Sequence, residues 1–193
     1  MANSKLIIVE GPQGAGKTTV TDYIRHFLPH TNLYRLSGTS DKTITGKEKA
    51  AKMYYGLLNY IKTLENDSIN LLFDRTFFTE EIYCRLGYKE YSFSDVYVNL
   101  LEELAHMDFD IYFITLYLDN ENEYVTRLVR DGKGGPEYAK YTKENSVSQQ
   151  NAYLKMADEL RIAYPHFHVI SFNNNIPLEE MKKQITHILE PEK

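Results

Sequence analysis

Hydrophobic and polar residues follow one another along the chain in two patterns. A continuous apolar run at residues 6–9 is typical of a strand buried on both faces of a parallel sheet, and residues 32–36, 69–73, 110–118 and 167–172 predict four further strands. Apolar residues at helical spacing predict helices over about residues 16–28, 47–64, 76–86, 94–107, 121–130 and 143–163, with a last helix from about residue 178. Strands that alternate with helices in this way predict an α/β fold around a five-stranded parallel sheet.

Composition places the chain among ordinary globular proteins. It has 193 residues, of which 42% are hydrophobic and 25% charged, and no linker divides it, so one domain over residues 1–193 is expected. The lone Cys84 offers no intramolecular disulfide, and no apolar run approaches the roughly 18 residues of a membrane span. We therefore expect a cytoplasmic protein without a membrane partner.

The net charge of −5 bears on the kind of partner. Proteins that hold DNA or RNA by its backbone usually present a basic surface, so the acidic total argues against a nucleic acid, although a local basic cleft leaves one open. An enzyme that binds phosphate groups needs only a few well-placed cations, and the acidic total does not conflict with that function. Nothing in the sequence decides between a monomer and a homodimer.

Residues 11–18, Gly-Pro-Gln-Gly-Ala-Gly-Lys-Thr, match the G-x-x-x-x-G-K-[ST] pattern of a triphosphate-binding P-loop, with a buried strand before it and a helix after it. Glycines let the backbone curl so that its N–H groups surround phosphate oxygens, and the helix presents its positive end to the same anion. Lys17 can reach the outer phosphates, and the Thr18 hydroxyl can bind Mg²⁺. The predicted nucleotide-binding residues are Gly11, Gln13, Gly14, Ala15, Gly16, Lys17, Thr18 and Thr19.

A second chemistry-bearing pair, Asp74 and Arg75, ends the apolar run at residues 69–73. Ligands of open α/β sheets bind beyond the carboxyl ends of the strands, so the carboxylate can hold Mg²⁺ or orient an acceptor. The arginine can clamp an acceptor phosphate or neutralise transition-state charge. Alternatively, the two side chains cap the next helix and pair with each other. Phe78 and Tyr83 are candidates to stack on an acceptor base, although aromatic residues there also suit the core.

Arg127 and Arg130 lie three residues apart on one face of a predicted helix, just before Lys133 and a Gly-Gly-Pro break at residues 134–136. On a mobile lid of about residues 120–145, these cations can close over the donor phosphates and exclude water. The alternative is a solvated helix face whose arginines pair with neighbouring acids.

With these motifs in order, the chain resembles the thymidylate kinase-like branch of the nucleoside monophosphate kinases, with the deoxynucleoside kinases as close relatives. Besides the P-loop, the resemblance rests on Glu10, Arg35 followed by Ser-Gly-Thr at 37–39, Asp74-Arg75 followed by Thr79 and Tyr83, and Leu118-Asp119 before the lid arginines. It implies a P-loop NTPase fold with strand order 2-3-1-4-5 and a small lid, ATP as donor and Mg²⁺ as cofactor. It also implies that Arg35 and Arg75 meet the acceptor, and that residues 173–175 lie against the donor adenine.

Two positions depart from the thymidylate kinase pattern. Gln13 stands where those enzymes usually carry an aspartate that contacts the acceptor sugar and its surroundings, and Thr76 stands where a tyrosine usually follows the Asp-Arg pair. A non-standard deoxynucleotide, or a modified base within DNA, therefore stays open as the acceptor.

The position of acidic residues indicates the class of acceptor. A nucleoside hydroxyl needs a carboxylate base, which nucleoside kinases place just after the second strand, and this chain has no acid there before Asp41. Arg35 instead fits an acceptor that already carries a phosphate, although Asp74 could still act as a base. We therefore predict transfer of the ATP γ-phosphate to a (deoxy)nucleoside monophosphate, with catalytic residues Lys17, Asp74, Arg75, Arg127 and Arg130. The alternatives are a kinase for a nucleoside, a small metabolite or a polynucleotide, and a nucleotide-binding regulatory module that transfers no phosphate.

Overall fold

The computed structural model describes residues 4–133, 135 and 141–190. Within these residues one parallel sheet has five strands, which are β1 (Lys5–Glu10), β2 (Thr31–Arg35), β3 (Asn70–Asp74), β4 (Asp110–Tyr117) and β5 (His168–Asn173). Their order across the sheet is β2-β3-β1-β4-β5, which confirms the predicted order 2-3-1-4-5. The central strand β1 pairs with β3 and β4, so that Val9 lies beside Asp74 and Glu10 lies beside Thr115.

Seven helices connect the strands in the described part of the chain. They are α1 (Lys17–Phe27), α2 (Ile44–Lys62), α3 (Phe77–Arg85), α4 (Ser94–Ala105), α5 (Glu123–Arg130), α6 (Lys143–Ala163) and α7 (Leu178–Leu189). None of these seven is both long and apolar enough to cross a membrane. Helix α2 begins earlier than apolar spacing predicts, because the Asp41 side chain accepts hydrogen bonds from the Thr43 N–H and the Thr45 hydroxyl and so holds its first turn.

The two faces of the sheet bury separate hydrophobic clusters. Side chains alternate along β1, so that Leu6 and Ile8 belong to a cluster with α2, α3, α4 and α6, whereas Ile7 and Val9 belong to a cluster with α1 and α7. This alternation explains why a continuous apolar run forms the central strand. With both faces covered, the carboxyl ends of β1, β2 and β3 are left to open into a cleft.

The structure describes part of the predicted lid at about residues 120–145. Helix α5 occupies its first part, and α6 begins within its last part. Residues 134 and 136–140, with most of the Gly-Gly-Pro break, lie outside the described residues. The predicted lid therefore stays a prediction beyond the end of α5 and the residues directly after it.

Candidate active site

The carboxyl ends of β1, β2 and β3 open into a cleft of about 520 Å³. The loop between β1 and α1 forms one side, the ends of β2 and β3 form another, and the end of α5 contributes a third. Most of the predicted site residues line this cleft, namely Gln13, Gly14, Gly16, Lys17, Thr18, Thr19, Arg35, Asp74, Arg75 and Arg130. It is also lined by Leu36, Asp131 and Lys133. The P-loop and the Asp-Arg pair, distant in the sequence, therefore meet in one site.

Gly11 is the point where the chain turns from β1 into the loop. Its φ is 141°, and a Cβ atom here would stand 2.8 Å from the main-chain oxygen of Leu116 on β4, so the position suits glycine. Ala15 is buried, and its carbonyl oxygen accepts a hydrogen bond of 2.7 Å from the Asn174 side chain. Gly11 and Ala15 do not line the cleft; they hold the loop in place from behind.

Lys17 lies buried at the base of the loop. Its ammonium group donates hydrogen bonds of 2.8 Å to the main-chain oxygens of Gly11 and Pro12. Burial, followed by the positive charge of Arg75, lowers the pKa of Lys17 to about 7. Because an anion in the loop would favour the charged ammonium, phosphate binding and protonation of Lys17 support each other.

Charged side chains meet at the ends of β2 and β3. Asp74 and Arg35 are neighbours in the sheet, with the Arg35 Nε atom 3.7 Å from the Asp74 carboxylate, and Arg35 also pairs with Asp22 on α1 at 2.5 Å. Arg75 turns to the P-loop instead, where its Nη2 atom donates a hydrogen bond of 3.0 Å to the Gln13 side chain. Arg75 therefore contacts the P-loop rather than pairing only with Asp74, and ligand binding by the two arginines stays a prediction.

The oxygen atoms at the cleft fit a magnesium ion. The Thr18 hydroxyl and the Asp74 carboxylate belong to residues that line the cleft, and hard oxygen ligands of this kind suit Mg²⁺. Across the described ranges, no three His, Cys, Asp or Glu side chains form a metal site of their own. A magnesium ion here would therefore depend on phosphate oxygens and water as well as on these two residues.

The two lid arginines have different surroundings. Arg130 lines the cleft and forms an exposed ion pair with Asp131. Arg127 does not line the cleft, because its guanidinium donates hydrogen bonds to the main-chain oxygens of Asn174 at 2.8 Å and Ala15 at 3.5 Å. Contact of either arginine with the donor phosphates therefore stays a prediction. Arg127 braces the P-loop from outside, and Arg130 faces the cleft.

Phe78 is fully buried and cannot stack on an acceptor base, which corrects that prediction. Its ring stacks on Phe77 with centroids 4.5 Å apart and packs against Phe113 of β4 at 4.8 Å. Tyr83 is half-buried near Arg75; burial raises the pKa of Tyr83, and the guanidinium charge partly opposes that rise. Tyr83 does not line the cleft, so its contact with an acceptor stays a prediction.

Two further buried polar residues lie beside the loop, which are Glu10, to which the sequence assigns no role in the site, and Asn174, which belongs to the segment 173–175 predicted to lie against the donor adenine. Glu10, the last residue of β1, is fully buried and accepts hydrogen bonds from Thr76 and Thr79. Burial raises the pKa of Glu10 to about 7, and these hydrogen bonds partly oppose the rise. Asn174, after β5, binds the carbonyl of Ala15. The available sequence signal for Glu10 is a carboxylate at the end of an apolar strand, directly before a P-loop.

Solved structures resemble the chain along nearly its whole length. A thymidylate kinase from Candida albicans has a TM-score of 0.70 and 15% identity, over 98% of this chain and 92% of that one. The YorR protein of Bacillus subtilis, solved with phosphorylated GDP, has a TM-score of 0.66 and 20% identity, over 96% of this chain and 95% of that one. The chain has the fold of the P-loop kinases.

A third solved structure shares this P-loop kinase fold. A deoxyadenosine kinase from M. mycoides, solved with the products dCMP and dCDP, has a TM-score of 0.61 and 17% identity, over 96% of this chain and 97% of that one. No protein-family model and no curated protein sequence matches the chain. The likeness is therefore one of fold, and the activity has to be argued from the cleft.

Proposed function

We propose that this P-loop kinase fold works as an ATP-dependent phosphotransferase whose acceptor is a (deoxy)nucleoside monophosphate. The observation that carries the proposal is the charge of the cleft. In a chain whose net charge is −5, five basic and two acidic side chains line it, which are Lys17, Arg35, Arg75, Arg130 and Lys133 against Asp74 and Asp131. Basic groups on several sides of one cleft suit two phosphate-bearing ligands.

The basic residues divide between a donor end and an acceptor end of the cleft. Lys17 and the loop N–H groups suit the β- and γ-phosphates of ATP. Arg35 and Arg75 stand at the strand ends, where they suit the phosphate of an acceptor. Two of the solved structures with this fold carry nucleotides, phosphorylated GDP in the YorR protein and dCMP with dCDP in the deoxyadenosine kinase.

The first acid after β2 is unsuited to act as a base for a nucleoside acceptor. The Asp41 carboxylate accepts hydrogen bonds from the Thr43 N–H at 3.0 Å and the Thr45 hydroxyl at 2.8 Å, and it pairs with Lys49 at 2.5 Å. These donors, Lys49 foremost, hold the pKa of Asp41 well below its usual range. A nucleoside acceptor would therefore depend on Asp74, whereas a monophosphate is already ionised at neutral pH and needs no strong base.

Catalysis in this scheme consists of positioning and charge neutralisation. Lys17 binds the transferred phosphate, Arg75 holds the acceptor phosphate beside it, and Asp74 orients Arg35 and the acceptor. Arg130 closes over the donor oxygens and helps to exclude water. When Mg²⁺ is bound by Thr18 and Asp74, it supplies further neutralisation of the phosphate charge.

A transfer assay with γ-labelled ATP and Mg²⁺ tests the proposal. The protein is incubated separately with each deoxynucleoside monophosphate, each deoxynucleoside and 5′-hydroxyl DNA. We expect labelled diphosphate from at least one monophosphate, and a rate at least about 100-fold lower in Lys17→Ala, whose circular dichroism should be unchanged. Near-normal transfer by that variant would contradict the site, and label on nucleosides or DNA ends alone would contradict the acceptor. Tight ATP binding without transfer to any acceptor would favour the regulatory module.

A further inference from the structure

Glu10 does not line the cleft, yet its buried carboxylate is bonded through both oxygens. Oε1 accepts hydrogen bonds from the main-chain N–H of Thr76 at 2.8 Å and from the Thr76 hydroxyl at 3.2 Å. Oε2 accepts a hydrogen bond from the Thr79 hydroxyl at 2.6 Å. Thr76 precedes α3, makes no side-chain capping bond of its own, and Thr79 lies in the first turn. Glu10 therefore places its carboxylate at the N-terminus of α3.

The number of protons determines the direction of these hydrogen bonds. With Glu10 ionised, the Thr79 hydroxyl donates its one proton to Glu10, so the Tyr153 hydroxyl, 2.8 Å away, donates to Thr79. The network thus runs from α6 through α3 to β1. By contrast, Thr115, the neighbour of Glu10 on β4, has a buried hydroxyl with no hydrogen-bond partner among the residues described.

The backbone of Arg75 lies directly before Thr76, whose N–H and hydroxyl this network holds. Its φ of 71° is one that residues with side chains rarely adopt, and it persists only where the surroundings enforce it. Successive residues of β1 provide that restraint, because the Val9 oxygen accepts the Arg75 N–H at 3.2 Å and the Glu10 carboxylate accepts the next N–H, that of Thr76. From this backbone the Arg75 guanidinium reaches the Gln13 side chain.

We infer that Glu10 is a positioning residue for the acceptor end of the cleft, which keeps Arg75 in its left-handed backbone conformation and its guanidinium beside the P-loop. The inference rests on the proposed function, in which Arg75 binds the acceptor phosphate. Within the part of the chain that the structure describes, the hydrogen bonds of the Glu10 side chain run to Thr76 and Thr79, and none runs to the P-loop. Removing the Glu10 carboxylate should therefore weaken acceptor binding more than ATP binding.

Steady-state kinetics separate the two ends of the cleft. Glu10→Ala removes all three hydrogen bonds, and we expect it to raise the KM for the acceptor about 10- to 100-fold while the KM for ATP changes less than about threefold. Glu10→Gln keeps an oxygen that can accept the Thr76 N–H, and its amide can donate to Thr79, so it should recover most of the acceptor affinity. Equal increases in both KM values, or a Gln variant as impaired as the Ala variant, would overturn the inference.

Two buried threonines provide a matched pair of variants. Thr79→Val breaks the connection between Glu10 and Tyr153, whereas Thr115→Val removes the hydroxyl that has no partner in the described structure. We expect the acceptor KM to rise in Thr79→Val and to stay unchanged in Thr115→Val. Equal acceptor KM values in the two variants would count against the network. These two variants can test the role of the network even if Glu10→Ala does not fold.

Amide hydrogen exchange gives a readout that does not depend on phosphate transfer. In Glu10→Ala, exchange at Arg75 and Thr76 should accelerate at least about 10-fold while exchange in β4 and β5 stays unchanged, and Glu10→Gln should show little acceleration. A protein that phosphorylates no acceptor would refute the proposed function, and exchange would still decide whether Glu10 holds Arg75. Unchanged exchange in Glu10→Ala would refute the inference even if transfer to monophosphates occurs.

Discussion

Replacing Gly11 by alanine should disturb both the stability of the protein and its P-loop. The residue has a φ of 141°, and an added Cβ atom would lie 2.8 Å from the Leu116 oxygen and 3.3 Å from the Leu116 nitrogen. Both contacts are with the backbone of β4, so no side-chain rotation can relieve them. The start of the loop would have to move away from the sheet, and the N–H groups that face the cleft would move with it.

Two contributions determine how far Gly11→Ala should lower the free energy of unfolding. Holding a residue with a Cβ atom in a left-handed conformation costs about 1–2 kcal/mol. Overpacking against a fixed neighbour adds roughly 1–3 kcal/mol, so Gly11→Ala should lower the free energy of unfolding by about 2–5 kcal/mol. Gly87→Ala is the matched control, because Gly87 also has a positive φ, 74°, but apart from its chain neighbours no described residue has an atom within 4 Å of its added Cβ. This control should lose only the first contribution, about 1–2 kcal/mol.

Urea denaturation of both variants, combined with calorimetric titration of ATP, provides the measurements. Gly11→Ala should show the larger loss of unfolding free energy and at least about a tenfold loss of ATP affinity. Gly87→Ala should bind ATP as the parent protein does. Equal destabilisation of the two variants, or parental ATP affinity in Gly11→Ala, would refute the reasoning that the loop is held by close contact with β4.

Three further changes test other parts of the structure. Phe78→Ala should lower the free energy of unfolding by about 3–5 kcal/mol in urea denaturation and leave the ranking of acceptors unchanged, because the ring belongs to the core. Arg85→Ala leaves the buried Glu81 carboxylate without its cation and should cost about 3 kcal/mol, whereas removal of the half-exposed Glu159, which also pairs with Arg85, should cost less than about 1 kcal/mol. For Glu10, burial raises the folded-state pKa from 4.5 to about 7, so its contribution to stability is present below pH 4.5 and lost as the pH rises through about 7. Glu10→Gln cannot ionise at this position, so its free energy of unfolding minus that of the parent should rise by about 3 kcal/mol between these pH values. A difference in unfolding free energy that does not change with pH would contradict the raised pKa of Glu10.

The secondary structure and the P-loop could be predicted from the sequence because they depend on residues that are neighbours in the chain. An apolar run before Gly11 and helical spacing after Lys17 describe segments whose form is decided locally. The strand order rests on the resemblance to known kinases rather than on periodicity, and the sheet confirms it. The ends of helices in the structure differ by a few residues from the predicted ends where a side chain extends the helix, as Asp41 does at the start of α2.

Side-chain direction within the site could not be predicted in the same way. Phe78 follows the Asp-Arg pair closely, as a ligand-contacting residue might be expected to, but the first turn of α3 is buried on every side. Their spacing places Arg127 and Arg130 on the same helix face. Asn174, from a distant part of the chain, accepts a hydrogen bond from Arg127, and none from Arg130 is found among the described residues. The partners of Glu10 are equally remote in sequence. Such contacts arise only once the sheet brings separate segments together.

Our proposal for the acceptor depends on which partners the carboxylates near the cleft bind, and the net charge of the chain does not reveal those partners. The chain has 27 acidic and 22 basic residues, yet its cleft is basic because nearby carboxylates are occupied elsewhere. Asp41 holds the start of α2, and Glu10 is bonded to α3 within the core. Among the described residues, Arg75 consequently faces the cleft with the neutral Gln13 side chain as its one side-chain hydrogen-bond partner there. A monophosphate would bring its anionic group to that guanidinium, whereas a nucleoside would not, and this difference is the physical basis of the monophosphate acceptor that we propose.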